Sequence, residues 1–203
     1  MTDEGYIKFV CSWTKAPLAY PKEISELNRS RQVMYQKGLI GVYPGGISFG
    51  NISLRLSGNQ FLISGTETGG FSKLDDAHYA KVVSYNFKAN AIECVGLTKA
   101  SSESLSHAAI YQANSRIGGV IHYHHLGDWG RLNKVIPTTA ANVSYGTPEM
   151  AEEILSLFAS GKVTDEGLVV MGGHKEGLIC CAASLQRAVD IIIAQHNGSE
   201  TPL

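Results

Sequence analysis

The sequence predicts a mixed α/β layer fold with substantial antiparallel strand pairing. Two observations carry this. Helical and strand patterns alternate along the 203 residues, and several neighbouring strand patterns are joined by short turn signals that read as hairpins. Composition sets the class. Hydrophobic residues make up 44% and charged residues 17%, the profile of a globular chain, and the length fits one domain, 1–203, with its own core. The low charged fraction also fits surface hidden in subunit contacts.

The elements follow in order. Pro21 to about Lys37 reads as the first helix, with apolar points at Ile24, Leu27, Val33 and Met34 and with Gly38 as its stop. In the glycine-rich passage that follows, Ile52, Leu54 and Leu56 alternate with Ser53 and Arg55, as in a half-buried strand. Ser57-Gly58-Asn59 signals a turn and Phe61–Ser64 a second strand, so the pair predicts a hairpin. Leu74-Asp75-Asp76 opens a short helical stretch, and Asn90–Val95 is a weak strand. Ser101–Ser115 is a strong helix, with cap hydroxyls from Ser101 and Ser102 and a helical pattern at Leu105, Ala108, Ala109 and Tyr111–Gln112. In Val120–His125, strand geometry points Val120, His122 and His124 one way and Ile121, Tyr123 and His125 the other. Glu149–Phe158 is an amphipathic helix led by Pro148. Leu168–Met171 and Leu178–Ala182 are strands around the turn GGHKEG, and Ser184–Gln195 is the last helix.

Several function classes fall away. A net charge of −1 and the lack of a basic cluster argue against nucleic acid as partner. No apolar run approaches the roughly 18 residues of a membrane span. The acidic start, Met1 to Gly5, has no signal-peptide core, so a cytoplasmic location is expected. Four cysteines without a C-x-x-C pair exclude zinc-ribbon and thioredoxin-like motifs. Thiols that stay reduced fit the cytosol, and adjacent Cys180 and Cys181 should face opposite sides of a strand.

The chemistry concentrates in SSESLSHAAIYQANSRIGGVIHYHH. His122 and His124, two apart on a strand, can turn both imidazoles toward one cation, or simply decorate a polar sheet face. A third ligand must come from elsewhere. His174, in the tight turn before Leu178, is the best candidate, against an exposed turn histidine. Three histidines leave an open coordination position, as in catalytic zinc sites, although other divalent metals also accept imidazole. His107 reads as packing behind the site, His125 as pointing away from it, and His78 and His196 as surface residues. Glu103 opens its helix, either as a dipole partner or as a general acid/base. Ser101 and Ser102, with Gly50, Asn51, Ser64 and Gly65 in neighbouring turns, could bring small donors to one anion. No Walker-type loop is present, so a P-loop nucleotide site is not expected.

The ordered set FGNIS, ISGT, SSES, HYH, YGT and GGHKEG, spread from about Gly38 to Ala188, resembles the class II aldolase/adducin family. The resemblance implies a three-layer α/β/α fold around a central, mainly antiparallel sheet. It implies a homotetramer with active sites at subunit interfaces. It implies a divalent metal, Zn2+ by preference, held by His122, His124 and His174. It makes Glu103 the acid/base, or the group that completes the resting metal shell. Gly50, Asn51, Ser64, Gly65, Ser101 and Ser102 become the anchor for a small, phosphorylated substrate. The implied activity is aldehyde-lyase, retro-aldol cleavage of a small sugar phosphate or related hydroxycarbonyl through a metal-stabilised enediolate. Epimerase or dehydratase chemistry on the same site, or a non-catalytic adducin-like interaction domain, are its alternatives. The chain departs from the family pattern in three places. His174 is flanked by Gly173 and Lys175 where Asn and Gly are usual. Glu67 follows the second anchor. Residues 125–144 lack the tyrosine that the family's aldolases borrow from a neighbouring subunit.

Overall fold

The computed structural model describes residues 7–197; the acidic Met1–Gly5 start and the end of the tail lie outside the described residues. Ten strands and five α-helices follow in the order β1 (Val10–Lys15), α1 (Pro21–Gln36), β2 (Gly41–Val42), β3 (Ser48–Phe49), β4 (Asn51–Arg55), β5 (Phe61–Ser64), β6 (Tyr79–Asn86), β7 (Ala91–Gly96), α2 (Ser104–Ala113), β8 (Gly119–His124), α3 (Leu126–Leu132), α4 (Pro148–Ala159), β9 (Gly167–Val170), β10 (Gly177–Ala182) and α5 (Leu185–Asn197). A single 3-10 turn, Asp76–His78, stands where a short helical stretch is predicted.

Eight strands form one sheet in the order β1-β7-β6-β5-β4-β8-β10-β9, and β2 and β3 make a separate ribbon. All neighbours in the large sheet are antiparallel except the edge pair β1 and β7. Each face carries its own core. On one side Phe61, Ile63, Val120 and Ile179 meet Leu105 and Ala108 of α2 and Met150 and Ile154 of α4. On the other Ile52, Leu62, Ile121 and Tyr123 meet Leu27 and Met34 of α1 and Leu185 and Ile192 of α5. The architecture is therefore the expected α/β/α sandwich. Adjacent Cys181 and Cys180 divide between the two cores, and all four thiols are free.

Local chemistry explains the helix ends. Pro21 begins α1, where its missing N–H costs nothing. At the other end Gly38 adopts φ +70, Leu39 N donates to Met34 O at 2.9 Å, and Gly38 N donates to Tyr35 O at 3.0 Å. This is a Schellman stop, with Met34 and Leu39 both packed in the core behind it.

Several expectations need correction. Because helices cover both faces, β4 is not half-buried. Ser53 is 0% exposed, and its hydroxyl pairs with His107 Nδ1 at 2.7 Å and Tyr111 Oη at 2.8 Å. Val33 lies on the solvent side of α1, 37% exposed, while Met34 is buried. The helix expected from Ser101 starts at Ser104. The Ser101 carbonyl accepts from Ser104 N at 3.0 Å and Ser104 Oγ at 2.6 Å, which turns the chain one step before the helix. His196 is buried, and its Nδ1 meets Asp128 Oδ2 at 3.0 Å. Strands β1, β2, β3 and β6 were not expected. Among the described residues no helix is long and apolar enough to cross a membrane.

Candidate active site

Antiparallel pairing gathers the predicted residues at one end of the sheet. Where β4 begins, β8 ends, so Asn51 lies opposite His122; where β10 begins, β8 also ends, so Gly177 lies opposite His124. The turn before β10 carries His174, and the N-terminus of α2 brings Glu103. Val120 packs in the core beneath α2, so His122 and His124, on the same face of β8, project toward that side.

The three imidazoles converge. The Nε2 atoms are 3.0 Å apart for His122 and His124, 3.1 Å for His124 and His174, and 3.3 Å for His122 and His174. None is more than 5% exposed. Burial, which disfavours the imidazolium, lowers the His122 pKa to about 4 and pushes His124 and His174 well below the usual range, reinforced by their neighbours. All three rings are therefore neutral at pH 7, and each has one nitrogen lone pair. His122 Nδ1 lies 3.0 Å from Leu178 O, an acceptor, so Nδ1 carries the proton and Nε2 presents its lone pair to the centre. Three buried imidazole nitrogens grouped this closely are a donor set that fits a first-row divalent cation.

Glu103 stands beside them at 2% exposure. Its Oε2 accepts from Ser106 Oγ at 2.7 Å. Its Oε1 is buried without a hydrogen-bond partner, 3.9 Å from His174 Nε2. Burial raises the carboxyl pKa to about 7, against the smaller opposing pulls of Ser106 and Lys8.

A small cleft opens next to Glu103, lined by Ser48, Gly50, Asn51, the 65–69 turn, Ser101 and Ser102. Asn51 Oδ1 is buried there without a partner. Gly50 sits at φ +73, and a Cβ on it would lie 2.7 Å from Ile40 Cγ1, so only glycine fits. Ser64 stands apart from the other predicted anchors. Its Oγ accepts from Ile52 N at 3.2 Å, which ties β5 to β4 behind the cleft wall. Glu67 also lines the cleft, in a left-handed conformation with φ 60 and an exposed side chain.

His107 and His125 stay outside the cluster. His107, with Nδ1 on Ser53, is held neutral by burial. His125 Nδ1 accepts from Asp128 N at 3.1 Å and caps α3. It forms a second group with Asp128 and His196, in which Arg131 also holds the carboxylate at 3.2 Å. Sequence reasoning missed Tyr43, whose hydroxyl lies 2.8 Å from both His124 Nδ1 and Glu176 Oε2, and Phe49, whose ring packs 5.4 Å from that of His124. Phe49 opens the FGNIS motif, but no local pattern marks its packing against His124, and none marks Tyr43.

With this geometry in place, comparison with known proteins identifies the relatives. The family model described as Class II Aldolase and Adducin N-terminal domain matches residues 30–126. Residues 30–126 are a class II aldolase/adducin domain. The match includes Glu103, His122 and His124, and ends before His174. No curated protein sequence matches the chain significantly. Solved structures agree in fold. YgbL from Escherichia coli, a candidate aldolase/epimerase/decarboxylase, superposes with TM-score 0.65 at 19% identity, covering 87% of this chain and 86% of that one. An L-fuculose 1-phosphate aldolase gives TM-score 0.66 at 17% identity over 90% and 84%. The L-fuculose-1-phosphate aldolase from Thermus thermophilus gives 0.57 at 16% over 90% and 99%. At these identities the likeness establishes the architecture of the chain.

Proposed function

We propose that this chain is a metal-dependent aldehyde-lyase that cleaves a small sugar phosphate or related hydroxycarbonyl. The observation that carries the reading is the cluster of three neutral, buried imidazoles beside a carboxyl whose Oε1 has no partner. His122, His124 and His174 would hold the cation, with zinc preferred for an imidazole donor set. A bound divalent cation supplies Lewis acidity toward a carbonyl and its neighbouring hydroxyl. Glu103, with a pKa near neutrality, can both take and return a proton at the substrate carbon next to the carbonyl. Asn51, Ser101 and Ser102, with the close backbone approach allowed by Gly50 and Gly65, would hold and orient the phosphorylated end. Ser64 supports that wall. Active sites completed at the interfaces of a homotetramer, one domain over 1–203 and a cytoplasmic location belong to the same proposal.

One observation favours a second reading. Residues 125–144 contain no tyrosine to handle a leaving aldehyde, whereas proton transfer by Glu103 serves an epimerase or dehydratase equally well. The deciding experiment quantifies metal in untagged protein and assays a panel of ketose phosphates before and after chelation. The lyase reading expects about one divalent cation per chain and chelator-sensitive cleavage. Metal with epimerisation or dehydration but no cleavage moves the assignment to the second reading. Failure to retain zinc after incubation overturns the metal site and leaves an adducin-like interaction domain.

A further inference from the structure

We infer that Tyr43 and Glu176 order the protons around His124, and so hold its Nε2 lone pair open to a cation. The argument rests on donor and acceptor counting. An ionised carboxylate only accepts, so the contact of 2.8 Å between Glu176 Oε2 and Tyr43 Oη takes the single phenolic proton. Tyr43 Oη can then only accept from His124 Nδ1, also at 2.8 Å. That places the imidazole proton on Nδ1 and leaves Nε2 as the lone-pair nitrogen, the atom grouped with His122 and His174. His122 reaches the same tautomer through the Leu178 carbonyl. Different chemistry therefore orients two ligands alike, and a carboxylate one residue removed also raises the basicity of the ring it orients.

The supporting shell is built for the task. Tyr43 opens the turn between β2 and β3, closed by Gly46 N to Tyr43 O at 2.8 Å, and its ring packs 4.5 Å from that of Phe49. Glu176 takes a left-handed conformation, φ 72, in the turn between His174 and β10. That turn therefore delivers both a ligand and the carboxylate behind another ligand. Neither Tyr43 nor Glu176 is assigned to bind the cation or the substrate; both are positioning residues.

This inference rests on reading the three histidines as cation ligands, and its test separates the two. Zinc affinity is measured by competition with a chromophoric chelator for wild type, Tyr43→Phe, Glu176→Ala and the double variant. Long-range 1H–15N spectra of histidine-labelled, metal-free protein report the tautomers. Tyr43→Phe keeps the ring against Phe49 and should weaken zinc binding about 10–100-fold. Glu176→Ala should also weaken it, because a phenol that no longer donates to this carboxylate can donate to Nδ1 and force the proton onto Nε2. The double variant should be no weaker than Tyr43→Phe, since both changes act through one contact. In metal-free wild type His124 should appear as the Nδ1–H form, and this signature should be lost in both single variants. A wild type that binds no zinc overturns the ligand reading, and the tautomer spectra still judge the pair. Wild type that binds zinc with variants of equal affinity and unchanged tautomers overturns the role of Tyr43 and Glu176.

Discussion

Replacing Glu103 with glutamine should stabilise the metal-free protein at high pH while removing its proton chemistry. The carboxyl titrates at about 7 in the fold, against 4.5 for an unperturbed group, because burial disfavours its charge. The sign follows from the raised value. Between those two pH values the folded chain binds the proton that the unfolded chain has lost, so stability falls as pH rises. At about 1.36 kcal/mol per unit, the full cost of ionising Glu103 in place approaches about 3 kcal/mol above pH 8. Glutamine has nearly the same shape, and its amide can donate to Ser106 Oγ, which now donates to Oε2. Glu103→Gln should therefore be nearly neutral at pH 5, where only about 1 kcal/mol separates the forms, and more stable by about 3 kcal/mol at pH 9. Urea unfolding of wild type and variant with chelator present, at both pH values, measures this difference, and other titrating groups cancel in it. An offset between the two proteins that stays constant from pH 5 to 9 would refute the buried-carboxyl argument. Near-full turnover by Glu103→Gln would refute its acid/base role.

The histidines predict the opposite pH trend. His122 titrates at about 4 in the fold against 6.5 unperturbed, so metal-free stability should be intact above pH 6.5 and fall by up to about 3 kcal/mol as pH drops toward 4. Urea midpoints at pH 7 and 4.5 should show a smaller loss for His122→Asn than for wild type. Gly177→Ala should weaken zinc binding without loss of strand content, because its Cβ would collide with His174 Cδ2 and displace the ring; a zinc titration with circular dichroism checks both halves. Ser53→Ala should cost about 1–3 kcal/mol, because it strips the partner from buried His107 Nδ1 and Tyr111 Oη; thermal unfolding at pH 7 measures it.

The parts of the fold legible in the sequence are those that carry a local signal, an apolar stripe, a turn or a clean alternation. Helix α4 shows its apolar stripe and Pro148 start, and the β4–β5 hairpin announces its turn. Strand β8 was legible through its alternation, which held because each face meets a different helix layer. Strand β6 hides for a physical reason. Tyr79, Ala80 and Val82 are buried in mid-sheet, then a register shift between Val82 and Ser84 breaks the alternation. Edge strand β1 keeps most of its residues exposed, so Val10 and Ser12 carry no consistent polarity. His78 and His196 look alike as isolated polar residues. Tertiary packing leaves the first beside exposed Asp75 and buries the second against Asp128, a distinction no local window contains.

The candidate site shows the same division more sharply. Strand spacing pairs His122 with His124, and the turn motif nominates His174, because donor identity and short-range geometry are local. Protonation is not local. Glu103 reads as an ordinary helix-start carboxylate until α2 and the sheet remove its water. Tyr43 and Glu176 are 133 residues apart and meet only because antiparallel strands return to one end of the sheet. The same desolvation acts in opposite directions on the two kinds of group, since it penalises whichever form is charged. It raises Glu103 toward 7, where a proton can be gained or lost, and drives the neighbouring imidazoles below the range in which a proton would occupy their lone pairs. One dry pocket therefore holds an acid/base and a neutral nitrogen donor set side by side at neutral pH. Admitting water by trimming the apolar packing around α2 should move both sets of titrations back toward their ordinary values together, which separate local causes would not do.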